Sequence, residues 1–391
     1  MIPLMKFTFI NEVETRKALA DFLLKSPKLS MDVQCLEFEK RFAEMQGKKD
    51  AILFNSGGSA NLAILQTLKN CDILRDGDRI GFSALTWSTN TMPIIQLGFE
   101  PIAVDCNRLT LNVMCENLKK AHEKFRLKAF FVTNVLGFAG DLDQIRTYCE
   151  KENIILFEDN CEALGTELET GKTGNFGVMS SFSFFVAHHM STIEGGMVVT
   201  DDEQFSEMLR IVRANGWDRN LTSEGQIRWR KKYNIKSEFE AKYTFYDLGY
   251  NFRPTEITGF LGNLQLNYLK DNIAARERNY LRLEKIVASN AELLLLDRSH
   301  LKVLSNFAFP VLCKSPELRN KYLNQCSGAG VEIRPMIAGN MQRQPFYSKY
   351  TSELSELPDT DFIHDNGFYF GNYPELSEFD LETLSTCLRN Y

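Results

Sequence analysis

The sequence predicts an α/β protein: a mainly parallel seven-stranded sheet flanked by helices, followed by a smaller α+β C-terminal unit. Two patterns carry this expectation. Through the first half, short apolar segments alternate with amphipathic ones, and several of the apolar segments are unbroken, as strands covered on both faces are. After about residue 250 the alternation stops, and two long helical patterns lead into short mixed elements. A chain of 391 residues, 44% of them hydrophobic, is long enough for a large core and for more than one domain.

In chain order, the candidate strands are 51–54, 79–82, 101–104, 129–133, 154–158, 180–184 and 196–200. Helical patterns at 59–69, 113–125 and 141–152 fall between them. Such alternation implies right-handed crossovers, with ligands bound at the carboxyl ends of the strands. Beyond it, helical stretches at 255–269 and 272–295 form a connecting element. A strand at 306–312, a helix at 316–329, a strand at 331–334 and a last helix at 378–388 then make the smaller unit. The expected domains are therefore residues 1–254, a large α/β domain, and residues 255–391, the connecting helices with a small α+β domain. Residues 222–244, highly charged and uneven in pattern, read as an excursion or long loop.

Composition excludes several classes. With 51 acidic and 45 basic residues the net charge is −6, which gives no reason to expect a nucleic acid or an anionic membrane as partner. No run approaches the roughly 20 apolar residues of a membrane span, and the first residues lack the basic-then-apolar pattern of a secretory signal. The nine cysteines include no Cys-x-x-Cys pair. That spacing argues against a disulfide framework, a cysteine-ligated metal and an iron–sulfur cluster. The cytoplasm is the expected compartment.

Three segments could carry chemistry. Asn55-Ser56-Gly57-Gly58-Ser59-Ala60-Asn61 lies between a strand and a helix. Its glycines permit close backbone approach and its free amides attract an anion such as phosphate, although tight strand-to-helix turns are also glycine-rich for steric reasons alone. In the second segment, 154–162, a buried strand runs into Glu158, Asp159 and Glu162. A carboxylate at that edge either holds a protonated heterocyclic nitrogen or caps a helix. In the third, Ser183 ends a strand, His188 and His189 follow, and Glu194-Gly195-Gly196 turns into the next strand. Adjacent histidines point in different directions and lack the separation of chelating pairs, so by themselves they read more readily as satisfied structural residues.

The order of these features, with Trp87 between the first two, resembles the sugar aminotransferase family of fold type I pyridoxal-phosphate enzymes, the DegT/StrS group. Tyr250-Asn251-Phe252-Arg253-Pro254 and Gly330-Val331-Glu332-Ile333-Arg334-Pro335 extend the resemblance over nearly the whole chain. In that family a Ser-Phe-x-x-x-Lys segment precedes Glu-Gly-Gly, and the lysine holds the cofactor covalently. Six residues before Glu194 stands His188, so the lysine is absent. An imidazole cannot anchor the cofactor, but with an ordinary pKa of about 6.5 it can move protons near neutrality.

The Ala187-His188-His189 context and the phrase Asn215-Gly216-Trp217-Asp218-Arg219-Asn220-Leu221 resemble the family's 3-dehydratase branch. The resemblance implies that pyridoxal or pyridoxamine phosphate assists removal of the C3 hydroxyl from a nucleotide-linked 4-keto-6-deoxyhexose. The expected substrate is GDP-4-keto-6-deoxy-D-mannose, with glutamate recharging the cofactor. His188 would be the catalytic base and acid. Asp159 would pair with the ring nitrogen and Trp87 would stack on the ring. Gly57, Gly58 and Ser183 would bind the phosphate, and Glu162 would contact the ring substituents. Asn251 would reach the phosphate from a second subunit, making the protein a homodimer with shared active sites. No clustered cysteines stand where a reductase-coupled branch would hold its iron–sulfur cluster, so no reductase partner is expected. Two other readings remain open: an aminotransferase using another lysine, Lys172 being the nearest upstream, and a cofactor-binding regulator without activity. Lys172, residues 222–244 and Arg334 are places where the nucleotide could be read.

Overall fold

All seven apolar segments become strands of one sheet. The computed structural model describes residues 1–390. The large sheet contains β1 (Asp50–Phe54), β2 (Arg79–Ser83), β3 (Glu100–Val104), β4 (Ala129–Thr133) and β5 (Ile155–Asp159), then β8 (Ser180–Ser183) and β9 (Gly196–Thr200), in the order β1-β9-β8-β5-β4-β2-β3. Between β5 and β8 lies a small hairpin, β6 (Glu167–Leu168) and β7 (Gly171–Lys172). Only β9 runs against its neighbours in the large sheet, so β1, β2, β4, β5 and β8 all end at one edge. β4 shows why its sequence is unbroken: Phe130 and Val132 enter the core on one face, Ala129 and Phe131 the core on the other. Both faces are covered, so both registers must be apolar.

Helices Gly57–Asn70, Cys115–Phe125 and Leu142–Glu152 occupy the expected crossovers. Four further helices were not visible in the pattern: Glu12–Lys25, Val33–Gln46, Ser88–Gln96 and Glu203–Arg213. Arg213, fully buried, donates to Glu39 at 2.5 Å and to the Leu53 carbonyl at 2.8 Å, while Glu39 accepts from the Leu53 amide. This pair brackets the end of β1 and fixes the start of the turn that follows it.

Residues 222–244 are not the long loop expected. Thr222 caps a helix, Ser223–Lys232, by accepting from the Gly225 amide, and a short helix, Glu238–Ala241, follows. Only Gly225 and Trp229 of the first helix are buried, too few for an apolar period. Trp229 stacks on Tyr233 at 5.9 Å, and Arg230 pairs with Asp218 at 2.8 Å.

The chain then enters helix Leu269–Ala288 and a second region with β10 (Leu301–Val303), β11 (Ala308–Leu312), β12 (Ile333–Pro335) and β13 (Gly367–Gly371). The small antiparallel sheet has the order β11-β13-β12, and β10 pairs with β6 of the first region. Helices Pro316–Gly328, Pro358–Asn366 and Glu378–Cys387 accompany it. The first residues of the chain also lie here, with Ile2 bridged to Val331 and the Leu4 amide bound to Glu332. No described helix is long and apolar enough to cross a membrane.

Candidate active site

The strand ends bring the three motifs to one place. Asp159 closes β5, opposite Thr133 of β4 and Ser181 of β8. Gly196 of β9 pairs with Phe54 on one side and Ser183 on the other. A side chain at Gly196 would stand 2.2 Å from the Ser56 carbonyl, and one at Gly57 would stand 2.7 Å from Ser183 Cβ. The glycines here therefore serve close approach: they let the turn after β1 sit directly on the ends of β8 and β9.

That turn opens helix Gly57–Asn70. Ser56 uses its hydroxyl to cap the Ser59 amide at 3.1 Å. The Gly57 and Gly58 amides find no partner among the described residues, as expected of a helix's first turn, which favours an anion.

Glu158 and Asp159 point to opposite faces. Glu158 is fully buried and accepts from the Gly174, Phe176 and Gly177 amides at 2.7–2.9 Å, a structural task. Asp159 accepts from Asn61 Nδ2 and Asn90 Nδ2, both at 2.8 Å, and from the Cys161 amide at 2.8 Å. A carboxylate offers about four acceptor positions, so this one is locked in orientation with one position left. Asn61 is itself held by the Ser181 hydroxyl at 2.5 Å. Neither asparagine was assigned a role from sequence, because an amide in a helix carries no spacing signal.

Glu162 accepts from the Leu136 amide at 2.7 Å. Leu136 is buried with a left-handed backbone (φ 56°), a strained state that functional sites often hold. Burial, reinforced by Asp159, pushes the Glu162 carboxyl up to about 8.

His188 lies in the loop between β8 and β9, half-buried, its ring against Phe185 at 5.9 Å and Phe307 at 5.5 Å. Burial pushes its imidazole down to about 4, against an opposing pull from Asp159. The expectation of titration near neutrality is therefore corrected: the site holds the ring neutral at pH 7. Nδ1 is enclosed without a partner, which leaves Nε2 available to reactants. His189 turns away and is buried, with Nε2 2.9 Å from the Ser305 carbonyl.

Trp87 precedes helix Ser88–Gln96 at the end of the β2 connection and is 56% exposed, a broad ring not committed to the core. Ser183 is buried against Gly57. Asn251 is exposed beside a cavity of about 770 Å³ lined by Lys28, Arg219 and Arg253, and no hydrogen bond joins it to Asp159, Ser183 or His188. Its neighbour Phe252 accepts from the Asn55 amide at 2.9 Å. Lys172 donates to the Met45 carbonyl at 2.6 Å, a structural contact. Arg334 is exposed and paired with Glu332 at 2.5 Å.

An oriented carboxylate, a helix N-terminus with free amides and a serine beside it, and a broad exposed ring form a donor set that fits a phosphorylated, protonated pyridine. Residues 11–389 match the DegT/DnrJ/EryC1/StrS aminotransferase family, and the chain belongs to it. Among its relatives is the GDP-4-keto-6-deoxy-D-mannose 3-dehydratase of Yersinia pseudotuberculosis, 32% identical over 91% of each chain. The structure of the E. coli GDP-4-keto-6-deoxy-D-mannose-3-dehydratase with bound hydrated PLP is 31% identical, with a TM-score of 0.91 over 100% of this chain and 99% of that one. A mutant GDP-4-keto-6-deoxymannose-3-dehydratase with bound GDP-perosamine matches at 31% identity and a TM-score of 0.90 over the full length of both chains.

Proposed function

We propose that this chain is a nucleotide-sugar 3-dehydratase that uses pyridoxamine phosphate to remove the C3 hydroxyl of GDP-4-keto-6-deoxy-D-mannose. It acts as a cytoplasmic homodimer in deoxysugar and lipopolysaccharide biosynthesis. The observation that carries this reading is His188: a neutral imidazole beside Asp159, at the position where an aminotransferase of the family has its lysine.

When bound, the cofactor supplies an electron sink. Asp159 keeps the proton on the ring nitrogen, its carboxylate already oriented by Asn61, Asn90 and the Cys161 amide. The Gly57 and Gly58 amides and the Ser183 hydroxyl bind phosphate, Trp87 covers a ring face, and Glu162, neutral at pH 7, offers a proton to a ring substituent. His188 accepts a proton at Nε2 and returns it to the departing C3 hydroxyl, one group serving as base and then acid. Phe185 and Phe307 limit water around the imidazole. Glutamate would be the amino donor, and the reading calls for no reductase or iron–sulfur cluster. The engagement of Lys172 with Met45 counts against a transaminase built on that lysine. In support of the dimer, Asn251 stands exposed beside a basic cavity.

The test is incubation with pyridoxamine phosphate, glutamate and GDP-4-keto-6-deoxy-D-mannose. Release of ammonia with a 3-deoxy-4-keto sugar is expected. An amino sugar as product would instead make the protein an aminotransferase, and the absence of any product a regulator.

A further inference from the structure

Arg276 is a buried cation whose hydrogen bonds all go to neutral groups. It lies on helix Leu269–Ala288, 3% exposed, and makes no ion pair among the described residues. The one charge that favours its ionised form is Glu375, and desolvation pushes the guanidinium down to about 10, so it stays charged at pH 7. Its bonds go to neutral groups. Nε donates to Asn272 Oδ1 at 2.6 Å, and Nη1 donates to the Phe307 carbonyl at 3.0 Å and to the Asn372 carbonyl. Burying an unpaired charge is costly, and a neutral side chain of similar length would fill the space at lower cost.

Each of these bonds leads to the His188 segment. Phe307, whose carbonyl Arg276 holds, packs its ring on the His188 imidazole. Asn272, held by Nε, donates to the His189 carbonyl. Asn372 accepts from Arg276, donates to the Arg276 carbonyl and to Asn306 Oδ1, both at 3.0 Å, and so closes the network on the loop that carries Phe307.

We propose that Arg276 is a positioning residue for His188: its hydrogen bonds hold Phe307, whose ring packs on the imidazole, and, through Asn272, the His189 carbonyl, while its unpaired charge opposes a proton on that ring. The inference rests on the reading of His188 as the base. The charged and titratable groups around His188 are Asp159 from β5, which favours the protonated ring, Arg276 from the long helix, which opposes it, and His189 in its own loop, with Tyr373 and Glu375 lining the same cavity. The Ser183 backbone from β8 also favours protonation, and Phe185 and Phe307 add no charge. Removing Arg276 leaves burial alone to oppose Asp159.

The experiment is a histidine titration by NMR on ring-labelled protein, with His188 assigned by the signal lost in His188→Asn. In Arg276→Met the His188 midpoint is expected to rise above the parent's. The acid limb of the dehydration profile should move up with it, with kcat lowered and KM for the nucleotide sugar changed less than about twofold. Arg276→Lys retains a charge in the range where the imidazole titrates, and should leave the midpoint low. A midpoint in Arg276→Met equal to the parent's, with only the melting temperature lowered, would make Arg276 purely structural and overturn the inference. Should Arg276→Met fail to fold, Arg276→Gln decides: a raised midpoint supports the role, and one equal to the parent's contradicts it. No substrate enters the titration, so its failure is distinct from failure of the dehydratase reading, which the ammonia assay on the unaltered enzyme tests.

Discussion

His188 and His189 are consecutive residues with unrelated surroundings, and their substitutions should separate catalysis from stability. His188→Asn is expected to abolish dehydration while leaving cofactor affinity nearly intact, because Asp159 and the turn at Gly57 are untouched. Equilibrium binding and product assays on the same preparation check this. His189→Asn leaves the Ser305 carbonyl without its buried partner, so it should cost about 1–3 kcal/mol of stability by denaturant titration while retaining turnover. Glu162 has a pH signature. Its folded pKa of about 8 lies above the ordinary carboxyl value of 4.5, so between the two the folded state keeps a proton the unfolded chain has released. Its contribution is full below 4.5 and is lost as the pH rises through 8. Glu162→Gln should flatten the fall in melting temperature of the cofactor-free protein across that window. An unaltered slope would mean that the carboxyl is ionised in the fold.

Among the elements, the turn after β1 depends most sharply on single positions. Gly196→Ala places a methyl group 2.2 Å from the Ser56 carbonyl, forcing the turn off β9. The Kd for pyridoxal phosphate should rise at least about tenfold, measured by fluorescence titration. Elements buried on two faces were legible in the sequence for a physical reason: β4 and β9 are apolar on both faces up to their terminal Thr133 and Thr200, and such runs stand out. Helix Ser223–Lys232 was not legible, because it contacts the core mainly through Trp229 and its charges mask the period. β13, the centre of the small sheet, was missed as well, its Phe-Tyr-Phe run flanked by two glycines that read as turn residues. The residues proposed for the site were chosen where chemistry restricts the residue type, at Asp159, Ser183 and His188, and the fold gathers these three at one edge. Asn61, Asn90 and Arg276 were not legible, since their task depends on neighbours far away in sequence. His188 also showed that a residue type does not fix its proton affinity, which burial moved well below neutrality.

For the whole molecule, a shared active site makes a simple prediction about mixtures. If Asn251 serves the partner's site, Asn251→Ala and His188→Asn proteins, each inactive, should regain up to about a quarter of full activity when unfolded together and refolded as mixed dimers. Two independent sites would regain none. The proposed function turns on one exchange, a proton-transfer residue at position 188 in place of the family's covalent cofactor anchor. Borohydride reduction of the protein loaded with pyridoxal phosphate, followed by peptide mapping, tests it most directly, with His188→Lys alongside. No covalent cofactor is expected in the parent, and a single modified peptide containing residue 188 in the variant. A cofactor fixed to Lys172 or any other lysine of the parent would contradict it.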